Sequence, residues 1–290
     1  MSGNIEDKNF PIGVFDSGVG GLTVLRELNK ALPHEHLIYF GDLGRSPYGT
    51  KSPATVRRYV RQITRHLLSR KVKLIVIACN TASAAAGDDV KALAAPVPVM
   101  EVVGHSARAA IEAVLPQGDE PVRIGVLATA TTVASDLYKD RLLELSDHHL
   151  SAPPLIMQKA CPLFVPLAEE GLWEGPITDL AAEMYLAKMR EFDPHAVILG
   201  CTHYPLLRKA IEKALPPGTV LGNGAESLAL AARDLLSEQG LLAESELPGR
   251  LEFIVSDSED TFRRQAERFL DMPVDIVHHI DLDACEGREE

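Results

Sequence analysis

Residues 76 to 83 read VIACNTAS, a run that stays apolar up to Cys79 and then turns at once to Asn80, Thr81 and Ser83. With Lys73, Leu74 and Ile75 before it, the apolar part has the length and β-branched content of a strand buried on both faces, the kind found in parallel sheets. The polar residues behind the cysteine suit the first turn of a helix. A second stretch, VILGCTHYP from Val197 to Pro205, repeats the construction: apolar run, Cys201, then Thr202 and His203 before a break.

Working outward from this pair, the same alternation covers the chain. IGVFD (Ile12 to Asp16), HLIYFGD (His36 to Asp42), VPVMEVV, RIGVLAT, HAVILGCT and LEFIVSD are further candidate strands. Between them GGLTVLRELNKAL, SPATVRRYVRQITRHLLS, HSARAAIEAVL, ITDLAAEMYLAKMREF, YPLLRKAIEKAL, ESLALAARDLLSEQ and SEDTFRRQAERFL place apolar residues at the helical spacing. Buried strands separated by helices predict an α/β fold with parallel sheets covered on both faces.

The chain also resembles itself: IGVFDSGVGG near residue 12 matches IGVLATATTV near residue 124, and VIACNTAS matches VILGCTHYP. This predicts two pseudo-symmetric, flavodoxin-like domains. Residues 11–103 with 218–281 form the first, discontinuous one, 104–217 the second, and 1–10 and 282–290 are tails. Open parallel sheets bind ligands at the carboxyl ends of their strands. The active site is therefore expected in a cleft between the domains, with one cysteine on each wall.

Composition narrows the function. At 290 residues and 46% hydrophobic, the chain carries enough apolar material for one large or two modest cores. No window approaches the roughly 18 apolar residues of a membrane span, and the opening MSGNIEDKNF lacks signal-peptide features, so a cytoplasmic location without membrane partners is expected. A net charge of −12, from 29 Lys and Arg against 41 Asp and Glu, disfavours nucleic acid as a partner. The one basic segment, RRYVRQITRHLLSRKVK from Arg57, reads as a solvated helix face. Cysteines 79, 161, 201 and 285 lack CxxC spacing, which points to free thiols and no zinc site. Cys285, in the acidic tail, reads as incidental and Cys161 as a small buried hydrophobe.

A cysteine between a strand end and a helix start lies near backbone N–H groups and a helix dipole, both of which favour the thiolate. The plainer alternative is a buried cysteine closing a strand. Two such thiols suit a reaction that needs a base and an acid on opposite faces of one carbon, namely inversion of a stereocentre. A free thiol, with a pKa of about 8.5, reaches either protonation state with modest tuning. His203 and Asp16 could supply that tuning, or serve as a structural loop histidine and a helix N-cap. DSGVGGL could cradle a phosphate, but it lacks the dinucleotide glycine spacing and a Walker lysine; a carboxylate held by the same backbone and by Ser17 fits as well. GDLGRSPYGTKS reads as a loop that offers the N–H groups of Tyr48 and Gly49 to a ligand, or as a simple turn.

DSGVGGLTVLRE, YFGDLGRSPYGTKS, ACNTAS, CPLFVPLAEEG and GCTHYPLL, in this order across nearly the whole chain, resemble the glutamate racemases of the aspartate/glutamate racemase family. The resemblance implies cofactor-independent interconversion of L- and D-glutamate for peptidoglycan, by a protein of two α/β domains that is usually a homodimer. Carried over by motif, Cys79 and Cys201 are the acid/base thiols, assisted by Asp16 and His203, with Glu169 near that histidine and Asp42 on the acidic position of YFGD. Ser17, Tyr48, Gly49, Asn80, Thr81 and Thr202, together with Asp16 and His203, fall on substrate contacts, as do Thr129 and Thr132. The Asn-Thr and Thr-His pairs are suitable donors for the charge that develops on the carboxylate, and no Schiff-base lysine is evident in these motifs. His105 stands where many relatives carry a proline at the crossing into the second domain. The resemblance leaves open whether a peptidoglycan precursor activates the protein, as it does some relatives. Two competing readings are an aspartate or hydantoin racemase, and a two-lobed solute-binding or regulatory protein with no catalysis.

Overall fold

In a computed structural model, which describes residues 7–115 and 121–282, the chain divides after Glu101 and after Ser227 into two compact units. Cys285 and the outer parts of both expected tails lie outside the described residues. The first unit opens with β1 (Ile12–Asp16), α1 (Leu22–Ala31), β2 (Leu37–Gly41), α2 (Pro53–Ser69), β3 (Leu74–Ile77), α3 (Asn80–Ala94) and β4 (Val99–Glu101). The second contains α4 (Val102–Val114), β5 (Arg123–Ala128), α5 (Ala130–Ala134), α6 (Leu137–His149), β6 (Leu155–Ala160), α7 (Phe164–Glu169), α8 (Pro176–Phe192), β7 (Ala196–Gly200), α9 (Arg208–Ala214) and β8 (Val220–Leu221). Helix α10 (Gly224–Glu238) carries the chain back to the first unit, which closes with β9 (Leu251–Val255), α11 (Glu259–Leu270) and β10 (Val277–His279).

Both sheets are parallel, with orders β10-β9-β2-β1-β3-β4 and β6-β5-β7-β8. The internal resemblance is thus a shared connectivity: β2-β1-β3-β4 in one unit and β6-β5-β7-β8 in the other. From β1 the chain adds β2 on one side and β3 on the other, and β5 does the same with β6 and β7. Such a reversal opens a crevice at the strands' carboxyl ends. VIACNTAS and VILGCTHYP each run out at the crevice of their own sheet, because Phe15 pairs with Ile77 in the first and Ala128 with Gly200 in the second.

Every residue of β1, β2, β3 and β7 is buried, which is why these strands run apolar rather than alternating, Asp16 at the end of β1 being the one charged residue among them. Helix α2 is capped by Ser52, whose hydroxyl accepts from Thr55 N–H at 3.3 Å, and it buries Val56, Val60, Ile63 and Leu67 along one stripe. Arg57, Arg58, Arg61 and Arg65 lie on its exposed face, Arg57 3.0 Å from Asp89, and the C-cap Arg70 lies 2.8 Å from Glu252. None of the described helices is long and apolar enough to cross a membrane.

The structure moves two boundaries. Val220 and Leu221 pair with Ala196 and Val197, so the residues just after 218, expected in the first domain, extend the second sheet instead. Val102 and Val103, read as the end of a strand, already form the first turn of α4, which also holds His105.

Candidate active site

At the crevice of the first unit, Asp16 is the last residue of β1 and fully buried. Its carboxylate accepts Gly18 N–H at 3.0 Å, so it closes the turn after the strand; the N-cap of α1 is Gly21, not Asp16. A Cβ on Gly21 would lie 2.5 Å from the Asp16 Cβ and 2.9 Å from the Tyr39 hydroxyl, so this close approach admits only glycine. Tyr39 in turn donates to Gly18 O at 2.8 Å.

Cys79 occupies the N-cap of α3, with Asn80 and Thr81 buried behind it in the first turn. Its sulfur accepts Ala82 N–H at 3.4 Å and its thiol donates to Ser17 Oγ at 3.7 Å. The expectation that this location favours the thiolate needs correction. Burial first, and then the negative charge of Asp16, push the thiol up to about 12, against smaller opposing effects of the bonds to Ala82 and Ser17.

The loop after β2 gathers around Asp42, whose backbone N–H reaches Asp16 O at 3.1 Å. Arg45 Nε donates to both carboxylate oxygens at 2.9 Å, the Ser256 hydroxyl donates at 2.7 Å, and the Tyr48 hydroxyl donates to the second oxygen. Arg45 also bonds Gln62 and lies 4.3 Å over the ring of Tyr59, against which Tyr48 packs. Burial and then Asp42 hold the Tyr48 phenol well above its ordinary pKa, so it stays a donor. Tyr48 and Gly49 begin a short helical turn, Tyr48–Thr50. Leading N–H groups of such a turn point off its N-terminal end.

In the second unit, Cys201 follows β7 directly, and its sulfur lies 3.7 Å from His203 Nδ1. His203 Nε2 is 3.1 Å from a carboxylate oxygen of Glu169, the last residue of α7. Burial pulls the imidazole pKa down, but the bonds and charges of Cys201 and Glu169 together outweigh it and raise the pKa to about 10. Thr202 is buried beside them. After β5, Thr129 caps α5, accepting Thr132 N–H at 3.4 Å with the two hydroxyls 3.0 Å apart. Cys161 is fully buried among Phe164, Leu186 and Met189, a core position.

Three contributors carried no functional reading in the sequence. Tyr204 places its hydroxyl 3.0 Å from Ala128 O and 2.9 Å from Cys161 O, joining the ends of β5 and β6 to the Cys201 turn. Tyr39 and Arg45 fix the two loops of the first unit. Tyr39 and Tyr204 lie within quoted motifs, where a tyrosine among smaller residues was an available signal.

Two like-connected parallel sheets, each with a cysteine at its switch point, one beside Asp16 and Ser17 and the other against His203 with Glu169 behind it, define a two-unit α/β protein with the same construction in each unit. The family model for Asp/Glu/Hydantoin racemase matches residues 12–229, and the chain belongs to this family of isomerases. A glutamate racemase of Chlorobaculum parvum is 44% identical over 90% of this chain and 92% of its own. Among solved structures, the glutamate racemase of Francisella tularensis in complex with D-glutamate matches with a TM-score of 0.85 and 36% identity, covering 96% of this chain and 99% of that one. That of Thermus thermophilus in complex with beta-chloro-D-alanine matches at 0.83 and 43%, with the same coverage. The resemblance read from the motifs therefore holds across the chain.

Proposed function

We propose that this protein racemises glutamate without an added cofactor, Cys79 and Cys201 exchanging the α-proton on opposite faces of the substrate. The observation that carries the proposal is the repeated cysteine at the two sheet crevices with different proton-handling partners at each. Cys79, raised to about 12, rests as a thiol and is ready to act as the acid when L-glutamate is turned over. Cys201 then acts as the base, with His203 against its sulfur and Glu169 holding the imidazole in place. In the reverse direction the roles exchange, as microscopic reversibility requires.

The α-proton is very weakly acidic, so charge developing on the substrate carboxylate must meet preorganised donors in a site with little water. Ser17, Asn80, Thr81 and Thr202, with Thr129 and Thr132, are the donors for that end. Tyr48 and Gly49 would receive the distal carboxylate through backbone N–H groups, and Asp42 would order the loop that carries them. The product, D-glutamate, would supply peptidoglycan from the cytoplasm, with the protein working as a homodimer.

The test is a circular-dichroism assay of purified protein dialysed against a chelator, given L-glutamate, D-glutamate, L-aspartate or L-glutamine. Loss of optical activity from both glutamate enantiomers, with aspartate and glutamine turned over poorly, is the expected result. No racemisation of glutamate, or glutamine turned over with comparable kcat/KM, would contradict the proposal.

A further inference from the structure

We infer that Ser256, brought in by the C-terminal return of the chain, is a positioning residue for the loop that receives the substrate's distal carboxylate; the inference rests on the role proposed above for Tyr48 and Gly49. Ser256 follows β9, and its hydroxyl is used twice. It donates to Asp42 Oδ1 at 2.7 Å and accepts Gly44 N–H at 3.0 Å. Its backbone N–H reaches Gly41 O at 3.2 Å. One serine thus fixes the loop at residues 41, 42 and 44. A Cβ on Gly44 would stand 3.0 Å from Ser256 O, so the loop lies directly on this segment.

The contact passes on to Tyr48 through Asp42. Its carboxylate can hold the Tyr48 hydroxyl in one place only while its own orientation is fixed, and the donors that fix it are Arg45 and Ser256. Arg45 is anchored on α2 through Gln62 and the ring of Tyr59, whereas Ser256 anchors the opposite side on β9. Without the serine hydroxyl, Asp42 keeps Arg45 and the Tyr48 hydroxyl, both carried by its own loop, but loses its tie to the segment after β9, and Gly44 N–H loses its acceptor. The Tyr48–Thr50 turn would then sample positions in which its N–H groups miss a carboxylate. Because the loop touches the distal carboxylate rather than the α-carbon, the loss should fall on substrate binding in ground and transition states alike.

Steady-state kinetics of Ser256→Ala and Ser256→Thr test this. For Ser256→Ala, the glutamate KM should rise about tenfold with kcat within about twofold, while Ser256→Thr, which keeps a hydroxyl, should restore KM to near the wild-type value. If Ser256→Ala does not fold, Ser256→Cys, similar in size with a much weaker donor, replaces it in the same comparison. An unchanged KM, or a fall in kcat alone, or a KM defect that threonine does not rescue, would overturn the inference. Failure of the wild-type protein to racemise glutamate would instead overturn the functional proposal beneath it.

Discussion

Asp16→Asn should make Cys79 more reactive, even though it removes a residue of the candidate site. The Cys79 thiol is pushed up to about 12, by burial first and by the Asp16 charge second. At pH 8 a thiol of that pKa is ionised in only about one molecule in ten thousand. Asparagine keeps an oxygen to accept Gly18 N–H, now at 3.0 Å from the carboxylate, so the turn persists while the charge goes. Removing a like charge at close range should lower the pKa by about one unit, raising the thiolate population about tenfold. The assay is alkylation by iodoacetamide in a Cys201→Ser background, followed peptide by peptide by mass spectrometry. Cys161, fully buried, is the internal control. The Cys79 rate should rise about tenfold at pH 8, and climb with pH in both proteins beyond pH 10. An unchanged or slower rate in Asp16→Asn would refute the electrostatic reasoning.

Gly21→Ala should destabilise the protein by about 1–3 kcal/mol in urea unfolding and lower activity, because the new methyl collides with Asp16 and Tyr39. Lys73, fully buried, holds Glu35 at 2.5 Å and donates to Lys8 O and Leu241 O at 2.7 and 2.8 Å; Lys73→Met should cost about 3–5 kcal/mol, partly recovered by adding Glu35→Leu. His203 has its pKa raised from 6.5 to about 10, so its contribution to stability is full below pH 6.5 and is lost as pH rises through about 10. Glu169→Gln should therefore lower the urea midpoint most near neutral pH, where imidazolium and carboxylate are both charged, with the gap closing above pH 10, and should lower the imidazole pKa seen by NMR.

The interior strands were legible because burial on both faces leaves them almost wholly apolar: β1 begins with the apolar run at Ile12 and ends one residue past it, on Asp16. Strands β6 and β10 were not, because they lie at sheet edges. Leu155 is exposed and the rest of β6 half-buried, so Gln158 and Lys159 interrupt any apolar pattern; β10 exposes His278 and His279. Strand β8 is only two residues long, too short to leave a pattern. At the candidate site, the cysteines, Asp16 and their flanking hydroxyl residues were legible because each sits where a strand stops. The Glu169–His203 contact joins residues 34 apart, and only resemblance to relatives pointed to it. Ser256 and Asp42 are 214 apart, and nothing local to either marks the contact. The direction of the Cys79 shift was misjudged because a sequence shows the helix start behind the thiol but neither its burial nor the neighbouring carboxylate.

The central proposal, one thiol for each face of the α-carbon, is tested most directly by deuterium wash-in followed by proton NMR at the α-position. Replacing either cysteine by serine should abolish net inversion, since serine is a far weaker base than a thiolate at neutral pH. The remaining thiol can still remove its own proton, exchange it with solvent and return it to the same face. On the assignment proposed above, Cys201 would serve L-glutamate and Cys79 D-glutamate. In deuterated water Cys79→Ser should therefore label L-glutamate slowly and D-glutamate hardly at all, and Cys201→Ser should show the reverse preference. Equal labelling of both enantiomers by one variant, or full inversion surviving in either, would contradict the assignment.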